Sequence, residues 1–291
     1  MSRFRDWYTT LRAGNLPTVW SNIALGAGLS GAAAPAPASL ATALGGLTCL
    51  YLAGMALNDA FDVRFDRANA SERPVAAGRI AAGAAMTAGL VLLVAGWCLT
   101  ALPSAASSMV MPASTLLAVC ILMYQWTHRA SAVLAAVLMA LCRTLVPVIV
   151  AAMLVPTLPA ILWIAAACVG AWTIGTTLLG RGERGGEPRW KVGPVWLGLA
   201  ALGVPAAAIM APLGDLAAAG GGLLIVCAAW IPAVVRRMRA GARGQAVCWA
   251  IAGFGVLDAG ILLAAGLPAW SAIGMICAAA ALGAQRLGGG T

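Results

Sequence analysis

Four oxygen-bearing side chains, Asn58, Asp59, Asp62 and Asp66, close an apolar run of the sequence. A helix turns about 100° per residue, so positions 58, 62 and 66 share one face and Asp59 lies beside it. Oxygens aligned in this way repel one another unless a cation sits among them. Hard oxygen donors suit Mg2+, which takes one or two carboxylates and completes its shell with water and phosphate oxygens. Arginines 64, 67, 73 and 79 are interleaved, as a polyanionic ligand requires. A solvated, salt-bridged loop is the alternative. A second group, Glu183 and Glu187 within GRGERGGEPR, shows the same four-residue spacing, on a stretch whose glycines and proline favour a loop. Alone this pair says little. Facing the first group, it makes a place where two metals hold one pyrophosphate.

The elements that position these groups are apolar. Of 291 residues 62% are hydrophobic and 9% charged, with a mean hydropathy of +0.93. No water-soluble globule of this size hides so much apolar surface. A hydrocarbon core about 30 Å thick needs roughly 20 apolar residues per helix. Runs of that length lie near 16–33, 38–57, 81–101, 108–126, 131–153, 158–179, 193–211, 218–235 and 246–265, with a shorter tenth at 268–284. The expected fold is an all-α polytopic membrane bundle of nine transmembrane helices, ten if 268–284 also crosses, in a single domain over residues 1–291. The first residues carry charge but no cleavable signal. Eight scattered cysteines without a CxxC pair and a single histidine predict neither disulfides nor a zinc site.

Basic residues fall in alternate loops: Arg3, Arg5 and Arg12 before the first span, Arg129 after the fourth, and clusters after the second, sixth and eighth. The intervening loops carry none. By the positive-inside rule the N-terminus and both acidic loops are cytoplasmic, in a bacterial-type inner membrane. The net charge of +9 is thereby explained, and no nucleic-acid partner is expected. The acidic residues are different, because topology does not require them: six of nine lie in the loops 58–80 and 180–192.

The motif NDxxDxxxD at 58–66, followed by Glu72-Arg73-Pro74-Val75-Ala76-Ala77-Gly78-Arg79, resembles the UbiA superfamily of intramembrane prenyltransferases. LRAGNLPTVWSN at 11–22 resembles that family's first-helix entry. Tyr124-Gln125-Trp126-Thr127-His128-Arg129 is similar to its YxxxKR element, with histidine where lysine is usual. Glu183 and Glu187 stand where most members carry DxxxD; with GMALND and MALCR this is similar to the EboC-like subgroup. The resemblance implies a central cavity capped by cytoplasmic loops. It implies Asn58, Asp62 and Asp66 on one Mg2+, Glu183 and Glu187 on another, and an isoprenyl pyrophosphate donor between them. Arg73, Arg129 and Arg181, with Tyr124 and His128, are candidates for the pyrophosphate, and Asp59 for the base that activates an unidentified acceptor. Tyr51, Tyr124, Trp126 and Trp172 are candidates for lining the cavity, with packing or an interfacial belt as the alternative role.

Two charges fall inside apolar runs, Arg143 and Asp258. Ionisable groups there are costly and usually functional or paired. Arg143 is expected to reach the pyrophosphate or the acceptor, or to pair with Asp258. The competing readings are a membrane terpene cyclase, which keeps the pyrophosphate site, and a lipid or isoprenoid carrier that keeps only the scaffold.

Overall fold

The computed structural model describes residues 3–69, 71–102, 106–181, 193–211 and 215–287. Its described elements are helical. A short α1 (Arg3–Thr10) leads through a 3-10 turn (Ala13–Asn15) into α2 (Leu16–Leu29), α3 (Pro37–Ala68), α4 (Ala82–Ala101), α5 (Val110–Thr127), α6 (Ala132–Leu154) and α7 (Ala160–Arg181). Then follow α8 (Gly193–Ala201), α9 (Gly203–Met210), α10 (Leu216–Leu223), a π-helical stretch (Leu224–Trp230), α11 (Ile231–Arg239), α12 (Arg243–Ala264) and α13 (Pro268–Leu287).

Among the described residues nine helical segments are long and apolar enough to cross a membrane, running from Pro37–Ala68 to Pro268–Arg286. The expected short tenth run is therefore a full-length candidate. The run at 16–33 differs from expectation: α2 has 14 residues, about 21 Å at 1.5 Å each, too short to span the core alone. The chain breaks before it at Arg12, which adopts a left-handed φ of 44°, and after it at Gly31. Instead of meeting lipid, α2 is buried almost throughout, packed on α6, α12 and α13.

Small residues permit this close packing. A Cβ built on Gly26 of α2 would lie 2.5 Å from the Pro147 carbonyl oxygen of α6. Proline at 147 also has no N–H, so the carbonyl of Arg143, four residues earlier, loses its usual helical partner. The seam between α2 and α6 is thus tight where it meets Arg143.

Helix α3 has the opposite proportion. Its 32 residues extend about 48 Å, well beyond a hydrocarbon core of about 30 Å. The last turns project past the apolar zone and carry Asn58, Asp59, Asp62 and Asp66. The segment after it folds back as a single helical turn, Ala77 N–H to Arg73 carbonyl (2.9 Å) and Arg79 N–H to Pro74 carbonyl (2.9 Å). Gly78, at φ 76°, closes that turn in the left-handed region that glycine adopts freely. Val75 and Ile80 tuck beneath it against Ala60 and Ala85, with Trp7 alongside.

Candidate active site

The end of α3 is buried despite its charge: Asn58, Asp59, Asp62 and Asp66 are each at most 6% exposed. Each carboxylate meets cationic side chains from another segment. His128 Nε2 lies 3.1 Å from Asp62 Oδ1, and Arg129 donates to the same oxygen. Arg73 Nη1 lies 3.0 Å from Asp66 and 3.6 Å from Asp59. Arg12 reaches Asp59 at 3.7 Å and donates to Asn58 Oδ1 at 3.4 Å. The repulsion expected along the 58–62–66 face is offset here by Arg12, Arg73 and Arg129, with His128 against Asp62.

These partners are held in turn. His128 stacks on Tyr124, with ring centroids 4.9 Å apart, and its Nδ1 lies 2.8 Å from the Tyr124 carbonyl. The Arg129 guanidinium sits 4.8 Å from the Phe65 ring centre. Arg79, in the same folded-back turn as Arg73, binds Asp6 of α1 at 2.8 Å and the Glu72 carbonyl at 2.9 Å. The Tyr51 hydroxyl donates to the Arg12 carbonyl at 3.2 Å, fixing the strained residue from which that side chain springs.

Beneath this mouth lies a cavity of about 110 Å³. Asn58, Arg12, Tyr124 and Gln125 line it toward the charged end, Leu47, Leu50, Leu117 and Ile121 supply apolar wall, and Tyr51, Cys142 and Arg143 lie along one side. Gln125 is a site residue that sequence reasoning passed over. It is 5% exposed, accepts from Asn58 Nδ2 at 3.4 Å and donates to the Ile121 carbonyl at 3.1 Å. Its signal was a lone amide in an apolar helix three residues before His128.

The second buried group lies deeper. Arg143 donates to Asn22 Oδ1 (3.1 Å) and Thr18 Oγ1 (2.9 Å) of α2. Asn22 Nδ2 and Ser21 Oγ each donate to Asp258 Oδ2 at 2.7 Å. Arg143 and Asp258 are therefore joined through Asn22 rather than directly. Thr18, Ser21 and Asn22 were legible only as a polar stripe in an otherwise apolar helix.

Two aromatic candidates are not at the cavity. Trp172 is fully buried in the core formed with α12, its Nε1 donating to the Ala250 carbonyl at 2.8 Å. Trp126 is 63% exposed on the outer face, edge-on to Phe61. Helical register turns each away from the chamber that Tyr51 and Tyr124 line. Asp59 also lies outside the cavity lining, between Arg12 and Arg73. Glu183 and Glu187 fall outside the described residues, as does the side chain of Arg181.

The described donors fit Mg2+ in a limited way. No three His, Cys, Asp or Glu side chains among the described residues form a cage of their own. What α3 offers is one amide and two carboxylates on one face, the small protein share that Mg2+ takes when phosphate and water supply the remainder.

Similar folds are known. The chain superposes on a digeranylgeranylglyceryl phosphate synthase with a TM-score of 0.65 at 14% identity, covering 91% of this chain and 99% of that one. A UbiA homologue of Aeropyrum pernix K1 gives 0.65 at 17% identity, over 90% and 98% of the two chains. A UbiA homologue of Archaeoglobus fulgidus, solved with GPP and Mg2+, gives 0.63 at 14% identity, over 87% and 99%. No curated protein shows a significant match. The sequence itself matches the UbiA prenyltransferase family over residues 16–181, more than half its length and including the whole of the 58–79 motif. The chain belongs to the UbiA prenyltransferase family.

Proposed function

We propose that this protein transfers an isoprenyl group from an isoprenyl diphosphate, bound with Mg2+ at the end of α3, to an acceptor held in the cavity below. One observation carries the reading: Asn58, Asp62 and Asp66 share a buried helix face at the mouth of an apolar chamber, ringed by guanidinium groups. The A. fulgidus homologue, solved with GPP and with DMAPP, each alongside Mg2+, supports the choice of donor.

Exposure decides which partners move. The carboxylate side chains at the mouth are 4–8% exposed, whereas Arg12, Arg73 and Arg129 are 26–41% exposed. The carboxylates stay in place while the arginines turn outward onto phosphate oxygens, a bidentate match for guanidinium. Asn58, Asp62 and Asp66 are the residues that would hold the metal, which neutralises the charge that develops as the allylic C–O bond breaks. Arg73 and Arg129 add fixed positive charge at the same place, His128 adds a ring nitrogen against Asp62, and Tyr124 orients the imidazole. The apolar walls keep water from the reacting carbon. Asp59 steadies Arg12 and Arg73, and is the base for an acceptor whose reacting atom reaches the top of the cavity.

The same reading assigns Glu183, Glu187 and Arg181 to the facing side of the diphosphate, with a second Mg2+ on the glutamates. It places residues 1–291 in one domain of a bacterial-type inner membrane, with the N-terminus and the mouth on the cytoplasmic side, as the arginine distribution argues. The GRGERGGE variant of the second motif aligns the chain with the EboC-like subgroup. The test is diphosphate release from geranyl diphosphate by the purified protein in nanodiscs of total bacterial lipid, which supplies the acceptor. Release should require Mg2+ and vanish in Asp62→Ala. Equal release with EDTA present would sink the proposal.

A further inference from the structure

The α3 face that would hold the cation is not chemically uniform. Asp62 and Asp66 present carboxylates, whose two oxygens are equivalent, so either serves a metal. Asn58 presents an amide, in which an oxygen and an NH2 group of nearly equal size trade places when the group turns over. Turned the wrong way, it would aim donors at a cation. Asn58 is buried, so bulk water does not choose its orientation. Gln125, buried opposite it on α5, does. Gln125 Nε2 lies 3.1 Å from the Ile121 carbonyl and 3.4 Å from the Gly54 carbonyl, two groups that can only accept. The nitrogen therefore belongs beside them, which leaves Gln125 Oε1 toward Asn58. That oxygen can only accept in turn, and Asn58 Nδ2 donates to it at 3.4 Å. The Asn58 oxygen then points the other way, where Arg12 donates to it at 3.4 Å. With the Asn58 amide reversed, oxygen would meet oxygen at Gln125 and NH2 would meet guanidinium at Arg12. Gly54 and Ile121 are backbone positions within α3 and α5, so the fold itself sets this polarity.

We infer that Gln125 is a positioning residue, which holds the Asn58 amide so that its oxygen, and not its nitrogen, is presented to the cation on the α3 face. It acts through Asn58 and needs no contact with metal or diphosphate. Without the Gln125 amide, Asn58 Nδ2 loses its acceptor. The Asp62 carboxylate, one turn further along the same face, then draws the amide into the reversed orientation. Groups that orient a metal ligand in this way are worth about 10- to 100-fold in metal affinity.

The positioning role rests on the reading of the α3 face as a metal site, and its test follows metal affinity apart from turnover. Mn2+, a spectroscopic substitute for Mg2+, is titrated by EPR into the protein in phosphatidylcholine nanodiscs. Geranyl S-thiolodiphosphate, an unreactive diphosphate, is present throughout, and a protein-free titration is the control. Gln125→Met keeps the length of the side chain and removes its polarity, and should weaken Mn2+ binding about ten-fold. Asn58→Asp removes the ambiguity, because either of its oxygens serves. In that background Gln125→Met should leave Mn2+ affinity unchanged or raise it, since Gln125 Oε1 would otherwise face a carboxylate. No loss beside Asn58, or the same loss in both backgrounds, would overturn the positioning role. If Gln125→Met does not fold, Gln125→Glu decides: its carboxyl still accepts from Asn58, so Mn2+ affinity should hold, and a loss of about ten-fold would overturn the role. If neither variant folds, Gln125 serves stability and the role falls. Mg2+-dependent diphosphate release by the wild type is measured in parallel. Release without the Asn58-dependent loss sinks the positioning role alone, and the loss without release sinks the transfer reading alone. If the wild type neither binds Mn2+ nor releases diphosphate, both fall.

Discussion

The mouth of the cavity and its interior solve the burial of charge in different ways. At the mouth, Asp59, Asp62 and Asp66 are matched by Arg12, Arg73 and Arg129. The anions sit on one rigid helix, whereas the cations come on separate segments with partly exposed side chains. Such a cluster is balanced when empty and can exchange partners when a polyanion arrives. In the interior, Arg143, Asn22, Thr18, Ser21 and Asp258 form a chain in which neutral groups separate the two charges. Nothing there is on a loop, and the chain ties α2 to α6 and α12. The contrast teaches that movable ion pairs suit a site that must capture and release a charged group. A rigid hydrogen-bonded chain suits one that must present a fixed charge.

This contrast can be broken by mutation. The largest effect is expected at the mouth: Asp66→Ala should lower Mg2+-dependent diphosphate release by about 10²- to 10³-fold, the range for losing one preorganised electrostatic contact. Its unfolding midpoint should barely move, because Arg73 turns to solvent. A large loss of stability with normal release would reverse the assignment of the two regions.

Next in size is Asp258→Leu. It strands the Asn22 amide, while the Ser21 hydroxyl keeps the Thr18 carbonyl, and should cost about 1–3 kcal/mol of stability, as a buried unsatisfied donor does. Thermal unfolding in detergent measures it, and Mg2+-dependent release should fall far less than in Asp66→Ala. Gly26→Ala sharpens the same point without touching a polar group. The added Cβ would stand 2.5 Å from the Pro147 carbonyl, so α2 and α6 must separate, at about 1–3 kcal/mol for overpacking. Smallest is Gly78→Ala. No neighbouring atom obstructs a Cβ there, so only the left-handed backbone is penalised, by about 1 kcal/mol. The expected readout is a KM for geranyl diphosphate raised several-fold through displaced Arg73, with kcat nearly unchanged.

Much of this was legible in the chain itself. The face shared by Asn58, Asp62 and Asp66 follows from helical periodicity, which is local, and the membrane spans follow from apolar run length. The 14-residue α2 was read as a span because composition reports that a helix is apolar, not whether lipid or protein covers it. Trp126 and Trp172 share that ambiguity: an aromatic ring suits an outer face, a core or a cavity wall equally well.

What only the tertiary structure decided was which side chains meet across distant segments. Asn22 and Asp258 are 236 positions apart, and Arg79 and Asp6 are 73 apart. Their pairing depends on which helix faces approach, and that is set by small residues such as Gly26 against Pro147. The sequence therefore determined the apolar spans, the acidic face and the chemistry it suits. Packing determined that mouth charges are paired while Arg143 meets no carboxylate within 4 Å among the described residues, because neutralisation depends on distances of a few ångströms between helices.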